Sequence, residues 1–205
     1  MGSSTSFRPR SKAGTGGTWR KSKTPGKFSR SISSLFLFFY SAVLPLLHHR
    51  FNKVWIPAFV YHTLRYVWYS ENIAYGCSTV SLQNTALTLP MLFIIYDFFY
   101  SFFHRALHHR SIYAPIHKHH HQQMVPTNGI EDAINEHPFE YLVGEYLHLL
   151  AIAIVSNLVT LHVAAIGVFA LGAGFLPALN HTRMDVSIPG FYRSKHHDQH
   201  HVYPT

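Results

Sequence analysis

The sequence predicts an all-α integral membrane protein, a helical bundle of about four spans with a histidine-rich cap on the cytosolic side. Three observations lead to this prediction. The chain of 205 residues is 47% hydrophobic and only 13% charged, which is about half the charged share of a soluble domain. It contains apolar stretches long enough to cross a bilayer. Most of its 18 histidines fall in two short windows, which we expect to meet at one end of the bundle.

The amino-terminal arm, residues 1–34, is strongly basic. It carries eight Lys or Arg residues and no acid, and it is rich in Ser, Gly and Pro without apolar periodicity. This composition predicts a disordered segment. Four roles stay open for it: a solvated tail, a tether to anionic lipid, an organelle transit peptide, or a myristoylated terminus. Nothing further along the chain resembles a nucleic-acid-binding module, so we expect no nucleic-acid partner.

Three apolar stretches predict the spans. Residues 35–47 reach about the lower limit for a crossing when the uncharged residues before them are included, and residues 84–103 are long enough for one span. Residues 141–179 are about twice one span and predict a helical hairpin that turns near 156–160. The aromatic segment 51–70 contains Arg and Lys and predicts an interfacial helix. The predicted organisation is a basic arm (1–34), a first span with an interfacial aromatic helix (35–83) and a histidine-rich domain (84–205).

The distribution of charge predicts the orientation of these spans. A basic arm that stays in the cytosol leaves residues 104–140 and 181–205 on the cytosolic side after four crossings. Both histidine windows then emerge on the same face, at the ends of helices. That is the arrangement that a shared site requires.

The spacing of the histidines predicts a metal centre. His104 and His108 are four residues apart and lie on one face of a helix. Residues 117–121 and 197–201 each repeat the pattern HxxHH. The lone Cys77 excludes a zinc site built on two or more cysteines, so nitrogen and oxygen would hold the metal. Eight histidines from three motifs exceed what one tetrahedral ion can use, which favours two metals.

The HxxHH pattern also suggests how the histidines divide between the two metals. His117 and His120 are three residues apart, so we expect them on one helical face and on one metal. His121 is rotated by about 100° from His120 in a helix and would reach the second metal. His119 has no counterpart in the later repeat and is expected to lie outside the ligand set.

These segments resemble the fatty acid hydroxylase and sterol desaturase superfamily. The resemblance covers about 90–205 and rests on "DFFYSFFHRALH" (97–108), on the two HxxHH boxes, on "NHTRMD" (180–185) and on "EHPFE" (136–140). It implies a multi-pass, non-haem di-iron oxygenase of the endoplasmic reticulum with its metal site facing the cytosol. Such an enzyme uses O2, and electrons from a separate donor such as cytochrome b5 and its reductase, to hydroxylate or desaturate a lipid.

The resemblance also implies a set of site residues. The expected ligands of two iron ions, which zinc could replace, are His104, His108, His117, His120, His121, His181, His197, His200 and His201. Further residues are expected to orient these ligands or to add one: Asp97, Arg105, His119, His137, Asp185, His196 and Asp198. In this interpretation Arg105 balances charge near the site and holds a carboxylate such as Asp97.

Two departures from the superfamily pattern affect the expected function. Arg183 and Met184 replace a smaller pair, which would alter the substrate pocket near His181. The chain stops four residues after the last box, which suggests a truncated member of the superfamily. The alternatives are therefore an inactive truncated member or a histidine-rich zinc or metal transporter. The substrate, whether sterol, fatty acyl chain or sphingoid base, stays open.

Overall fold

The computed structural model describes residues 43–122 and 124–202, and this part of the chain is mostly helical. The basic arm and most of the predicted span at 35–47 lie outside the described residues. The α-helices are α1 (Leu44–Tyr69), α2 (Thr88–Leu107), α3 (Arg110–Tyr113), α4 (Ile130–Ala133), α5 (Pro138–Leu158), α6 (Val163–Asn180) and α7 (Ser194–Val202). Two 3₁₀ helices cover Cys77–Thr79 and His117–Gln122, and four two-residue strands are β1 (Ile73–Ala74), β2 (Leu161–His162), β3 (Ser187–Ile188) and β4 (Tyr192–Arg193).

Helix α1 runs without a break through the boundary that the sequence suggested between 35–47 and 51–70. The expectation of two separate elements there is wrong. The residues between them, including His48 and Arg50, are all compatible with a helix. The helix also continues through Pro57. Helix α1 therefore extends from the predicted first span into the predicted interfacial segment as one rod of 26 residues.

Helices α5 and α6 form the predicted hairpin. The turn occupies residues 159–162, close to its predicted place, and β2 within it pairs in parallel with β1. Both helices begin at a histidine cap: the side chain of His137 accepts a hydrogen bond from the amide of Phe139, and that of His162 accepts one from the amide of Ala164. These caps satisfy amide groups that the first turn of a helix leaves free.

Two helices in the described part of the chain, α5 and α6, are long and apolar enough to cross a membrane. Only 33% of the apolar stretch of α5 and 22% of that of α6 are buried within the protein. Most of their apolar surface therefore faces outward, as expected for helices in lipid. The other two predicted crossings, at 35–47 and 84–103, stay predictions.

The core lies between α2, α5 and α6. Leu92, Ile152, Val155 and Phe169 are fully buried there and contact one another in one cluster. A Cβ atom on Gly172 would lie only 2.8 Å from the ring of Phe93, so any larger residue where α6 meets α2 would force this ring to shift. The packed core fixes the positions of the helix ends that carry the histidines.

Two contacts tie the cap to this bundle. The amide of Gly129, which has a φ of 61°, donates a hydrogen bond of 2.8 Å to the carbonyl of His181 at the end of α6. Asn52 of α1 is fully buried and donates to the carbonyl groups of Ile134 and Glu136, each at 2.9 Å. The segment 129–136, which contains α4, is thereby held at both ends.

Candidate metal centre

The structure brings eight histidines together in two groups of four. In each group, one nitrogen from every residue lies within 4.8 Å of the others. The first group consists of His104, His108, His117 and His200, and the second of His120, His181, His197 and His201. All eight belong to the nine predicted ligands.

The first group joins the end of α2 to the 3₁₀ helix and to α7. The Nε2 atom of His200 lies 2.9 Å from that of His104 and 3.3 Å from that of His108. The Nε2 atom of His117 lies 3.1 Å from that of His108. Four imidazoles from three separate elements therefore point their Nε2 atoms at one place.

The second group joins the end of α6 to the same two elements. The Nε2 atom of His197 lies 3.2 Å from that of His181 and 2.9 Å from that of His201. The ring of His120 stands 4.6 Å from that of His201 and 5.2 Å from that of His181. His120, His181 and His201 are each less than a tenth exposed, and His197 is partly exposed, so most of this group is shielded from solvent.

His121 lies between the two groups. Its Nε2 atom is 2.9 Å from that of His117, and its ring centroid is 4.6 Å from that of His200 and 4.8 Å from that of His201. The ninth predicted ligand is thus adjacent to the first group and borders the second.

These distances fit metal ions better than hydrogen bonds alone. Metal–nitrogen bonds of about 2.0–2.1 Å place neighbouring ligand nitrogens about 2.9–3.4 Å apart. A neutral imidazole carries one N–H, so an Nε2 atom either donates or accepts. The Nε2 atoms of His117 and His200 each approach two others, which hydrogen bonding cannot satisfy well. A cation between the nitrogens satisfies every lone pair, and the donor set suits iron or zinc.

The histidines of the cluster are held in the neutral form that binds metal. Burial, together with neighbouring histidines, lowers the pKa of His200 to about 4 and that of His121 to about 3. The pKa values of His120 and His197 lie well below their ordinary 6.5 for the same reasons. At neutral pH a metal therefore meets free lone pairs rather than protons that it must displace.

Comparison with known proteins gives this arrangement a family. The sequence profile of the fatty acid hydroxylase family matches residues 89–205, more than half of the chain. The chain belongs to the fatty acid hydroxylase family. This confirms the resemblance drawn from the histidine boxes, and the family is one of lipid-metabolising enzymes.

Curated relatives match parts of this fatty acid hydroxylase family member. "Protein CER1-like 2" of Arabidopsis thaliana is 27% identical over 145 residues, which are 68% of this chain and 23% of that protein. "Very-long-chain aldehyde decarbonylase GL1-4" of Oryza sativa subsp. indica is 44% identical over 73 residues, 35% of this chain and 11% of that protein. The chain thus spans about a quarter or less of the length of these relatives. No solved structure matches the chain.

One buried carboxylate, Glu140, and one carbonyl orient histidines in this family member, and a second acid, Glu136, lies beyond hydrogen-bond distance of another. The Nδ1 atom of His117 lies 2.6 Å from a carboxylate oxygen of Glu140, and that of His120 lies 3.8 Å from Glu136. The Nδ1 atom of His181 lies 2.8 Å from the carbonyl of Pro177, which can only accept, so this nitrogen donates and Nε2 keeps its lone pair. Such partners fix the tautomer and the ring orientation of a metal-binding histidine.

Glu140 is a functional candidate that the sequence interpretation missed. It lies within the segment "EHPFE", but the acids expected to orient the histidines are Asp97, Asp185 and Asp198. Glu140 is 3% exposed and faces a histidine 23 residues earlier in the chain. An acid in the first turn of an apolar helix was the available signal.

The predicted pair of Asp97 and Arg105 does not form. Both side chains are exposed on α2, and eight residues of helix separate their Cα atoms by about 12 Å. In residues 43–122 and 124–202, the acids paired with histidines near the cap are Glu131, Glu136 and Glu140 instead.

The other residues expected around the ligands lie at the edge of the site. His119 approaches the side-chain oxygen of Asn135 at 3.0 Å, and His137 caps α5. His196 and Asp185 are exposed. Asp198 is half-buried, and its charge acts on His181. Their roles as ligands or as orienting groups stay predictions.

The expected division of the HxxHH boxes between the metals is wrong. His117 and His120 belong to different groups, and His121 adjoins His117. His117 faces the end of α2, where its Nε2 atom lies 3.1 Å from that of His108, whereas the ring of His120 faces the end of α6, 5.2 Å from that of His181. The rings of His117 and His120 stack 5.6 Å apart and serve two neighbouring positions. The second box behaves alike, because His200 joins the first group while His197 and His201 join the second.

An apolar slot of about 280 Å³ opens beneath the cluster, between α1, α2, α5 and α6. Glu136 and Tyr100 line it, and the ring of Tyr100 stacks on that of His104 at 5.6 Å. A wider depression of about 460 Å³ at the other end of α1 is lined by Trp68 and Tyr75 and includes no histidine. Only the first of these two cavities is lined by residues that adjoin the clustered histidines, namely Tyr100 beside His104 and Glu136 beside His120.

Proposed function

We propose that the chain is a membrane-bound, O2-dependent di-iron oxidoreductase that hydroxylates or desaturates a lipid. The observation that carries this proposal is the pair of adjacent four-histidine groups at the head of an apolar slot. Two neighbouring redox metals match the need of O2 chemistry for several electrons at fixed geometry. The slot matches a long apolar substrate.

Each part of the chain has a defined role in this proposal. His104, His108, His117 and His200 would hold one iron ion, and His120, His181, His197 and His201 the other, with His121 at their border. Two bound iron ions would supply the activation of O2 for the oxidation of a C–H bond. The carboxyl group of Glu140 holds the ring of His117 in place, and the burial of His120, His181 and His201 would limit the access of water to the second group.

The slot would bind and orient the substrate chain. Its wall of α6 consists of small residues, Ala170, Ala173 and Gly174, which leave room for a chain beside α5. The substrate classes open from the sequence are sterols, fatty acyl chains and sphingoid bases. The name of the rice relatives adds very-long-chain aldehydes.

A separate protein would supply the electrons. The sequence contains no haem-binding pattern of a fused cytochrome b5, and the cap presents exposed basic side chains at Arg110, Lys118 and Lys195. These charges would attract an acidic donor such as cytochrome b5, which its reductase keeps reduced. The proposed location is the endoplasmic reticulum, with the cap in the cytosol.

The position of the histidines favours an enzyme over a metal transporter. Transporters place their ion sites near the middle of the membrane, in broken helices. Here His104 lies in the last turn of α2 and His181 directly after α6. A site at helix ends, with an adjoining apolar slot, suits the oxidation of a lipid.

The test is a turnover assay with the full chain. Protein purified in lipid nanodiscs is loaded with iron, supplied with cytochrome b5, its reductase, NADH and O2, and offered fatty acyl, sterol, sphingoid and aldehyde lipids. We expect mass spectrometry to detect a product that has gained one oxygen atom or lost two hydrogens. The His200→Gln variant should give none. Equal product from both proteins, or none from iron-loaded wild type with any lipid, would contradict the proposal.

A further inference from the structure

A ladder of stacked rings forms one wall of the slot and ends at a histidine deep in the bundle. From the metal centre it runs from His104 to Tyr100 at 5.6 Å, from Tyr100 to Tyr96 at 5.4 Å, and from Tyr96 to His148 at 3.9 Å. Tyr96, Tyr100 and His148 all line the slot. The ladder connects the metal centre to a second polar position in the same cavity.

His148 presents an unused hydrogen-bond acceptor to the slot. Its Nδ1 atom lies 3.3 Å from the backbone carbonyl of Glu145, which can only accept, so Nδ1 donates the ring proton. The Nε2 atom therefore carries a lone pair and can only accept a hydrogen bond. It has no hydrogen-bond partner among the described residues, although the residue is only 8% exposed.

The stacking on Tyr96 does not require an imidazole. A phenyl ring would stack there and would leave no polar atom unpaired in a membrane-spanning helix. Ionisable side chains inside a membrane helix usually serve a function, and the carboxyl group of Glu145 lines the same part of the slot.

The distance from the metal centre defines what this position can recognise. His148 follows Glu140, which contacts the first histidine group, by eight residues, or about 12 Å of helix α5. Tyr96 precedes His104 on α2 by the same number of residues. A group bound at His148 therefore lies on the order of 12 Å from the carbon that would be oxidised.

We infer that His148 is a polar subsite that selects lipids with a hydroxyl or amide N–H group remote from the oxidised carbon. Such a group donates a hydrogen bond to the Nε2 atom of His148, beside Glu145, while the apolar part of the chain fills the slot up to Tyr100. This inference rests on the proposed function and narrows its substrate class. Unsubstituted acyl chains, which lack such a group, would bind more weakly.

The test measures binding to metal-free protein, so its result does not depend on turnover. The full chain in nanodiscs is loaded with a fluorescent polyene fatty acid. The competitors are octadecanoic acid and a series of octadecanoic acids that each carry one hydroxyl, moved along the chain. We expect one or two neighbouring isomers to bind about 3–10-fold more tightly than octadecanoic acid, since one added hydrogen bond has that net effect.

Three variants show whether the preference comes from His148. His148→Phe keeps the stacking but lacks the acceptor, so it should bind octadecanoic acid normally and lose the preference. His148→Gln keeps an acceptor and should retain part of the preference for the hydroxylated isomers. Thr63→Val removes another polar group that lines the slot and should retain the whole preference.

The outcomes separate this inference from the proposed function. A wild-type protein that binds all chains equally, or a His148→Phe variant that keeps the preference, would overturn the polar subsite alone. A protein that binds no chain at all would overturn the slot as a lipid site and with it the proposed function. Normal binding of octadecanoic acid to a variant shows that the variant is folded.

Discussion

Replacement of Glu140 by Gln tests whether a buried carboxylate controls the first histidine group. The Nδ1 atom of His117 lies 2.6 Å from Glu140, and neither side chain is more than 4% exposed. The amide of Gln has nearly the same size but cannot ionise. It weakens the hydrogen bond, and if its NH2 group turns to Nδ1, the proton of His117 moves to Nε2 and blocks the ligand atom.

The expected effect is large and confined to one metal position. Loss of an orienting partner costs about 10–100-fold in metal affinity, which corresponds to about 1.4–2.7 kcal/mol. His117 belongs to the first group and not to the second. At limiting iron, Glu140→Gln should therefore bind one ion with unchanged affinity and the other at least tenfold more weakly.

Competition with a chelator of known affinity, followed by metal analysis, measures both affinities. Glu131→Gln is the matched control, since Glu131 is exposed and pairs with Lys53 and His49 on the surface. It should leave both affinities unchanged. Two wild-type affinities in Glu140→Gln would refute the assigned role of the carboxylate, and equal weakening of both ions would refute the division into two groups.

Three further predictions concern pH, folding and topology. The pKa values of His121 and His200 lie below their ordinary 6.5 in the folded protein, so the unfolded chain binds protons first as the pH falls. The melting temperature of metal-free protein should therefore drop from pH 7.5 to pH 5.5, and a constant or rising value would contradict this. Asn52→Leu strips two buried carbonyls of their donor and should lower the unfolding free energy by about 2–4 kcal/mol, whereas an unchanged denaturation curve would show that the contact is dispensable. A tag on the amino terminus and a reporter inserted near Asn128 should both be accessible from the cytosol. If they lie on opposite sides of the membrane, the predicted number of spans between them is wrong by one.

The histidine boxes were predictable because their information is local. The i, i+4 pair of His104 and His108, and the repeated HxxHH pattern, are visible in the sequence, and the structure brings these residues together. Their convergence also follows from topology, since helices α2 and α6 end at the cap. The hairpin of α5 and α6 was equally visible as a double-length apolar stretch.

The division of ligands between two groups was not predictable from spacing alone. The sequence does not say that residues 117–122 form a 3₁₀ rather than an α-helix. That difference does not decide the division, because the second box divides in the same way within the α-helix α7. The division depends on which helix end each histidine faces, that of α2 or that of α6, and spacing alone does not give this.

The supporting contacts depend on residues far apart in the chain. Asn52 and the loop that it holds are 82–84 residues apart, and Asn52 precedes the region that the family profile matches. No periodicity or motif in the sequence predicts such a contact. The pairing of Asp97 with Arg105 was expected from their charges and positions in the first box. The fold instead leaves both side chains exposed on α2.

The measurement that tests the central claim most directly is the iron content of three proteins, wild type, His119→Gln and His120→Gln. The two variants differ by one position in the same box, but His120 belongs to the second group while His119 contacts Asn135 outside it. After reconstitution under reducing conditions, wild type and His119→Gln should each hold two iron ions per chain. His120→Gln should hold about one, because one ligand of the second group is lost. Loss of iron from His119→Gln with full content in His120→Gln, or no iron in wild type, would contradict the proposed di-iron centre.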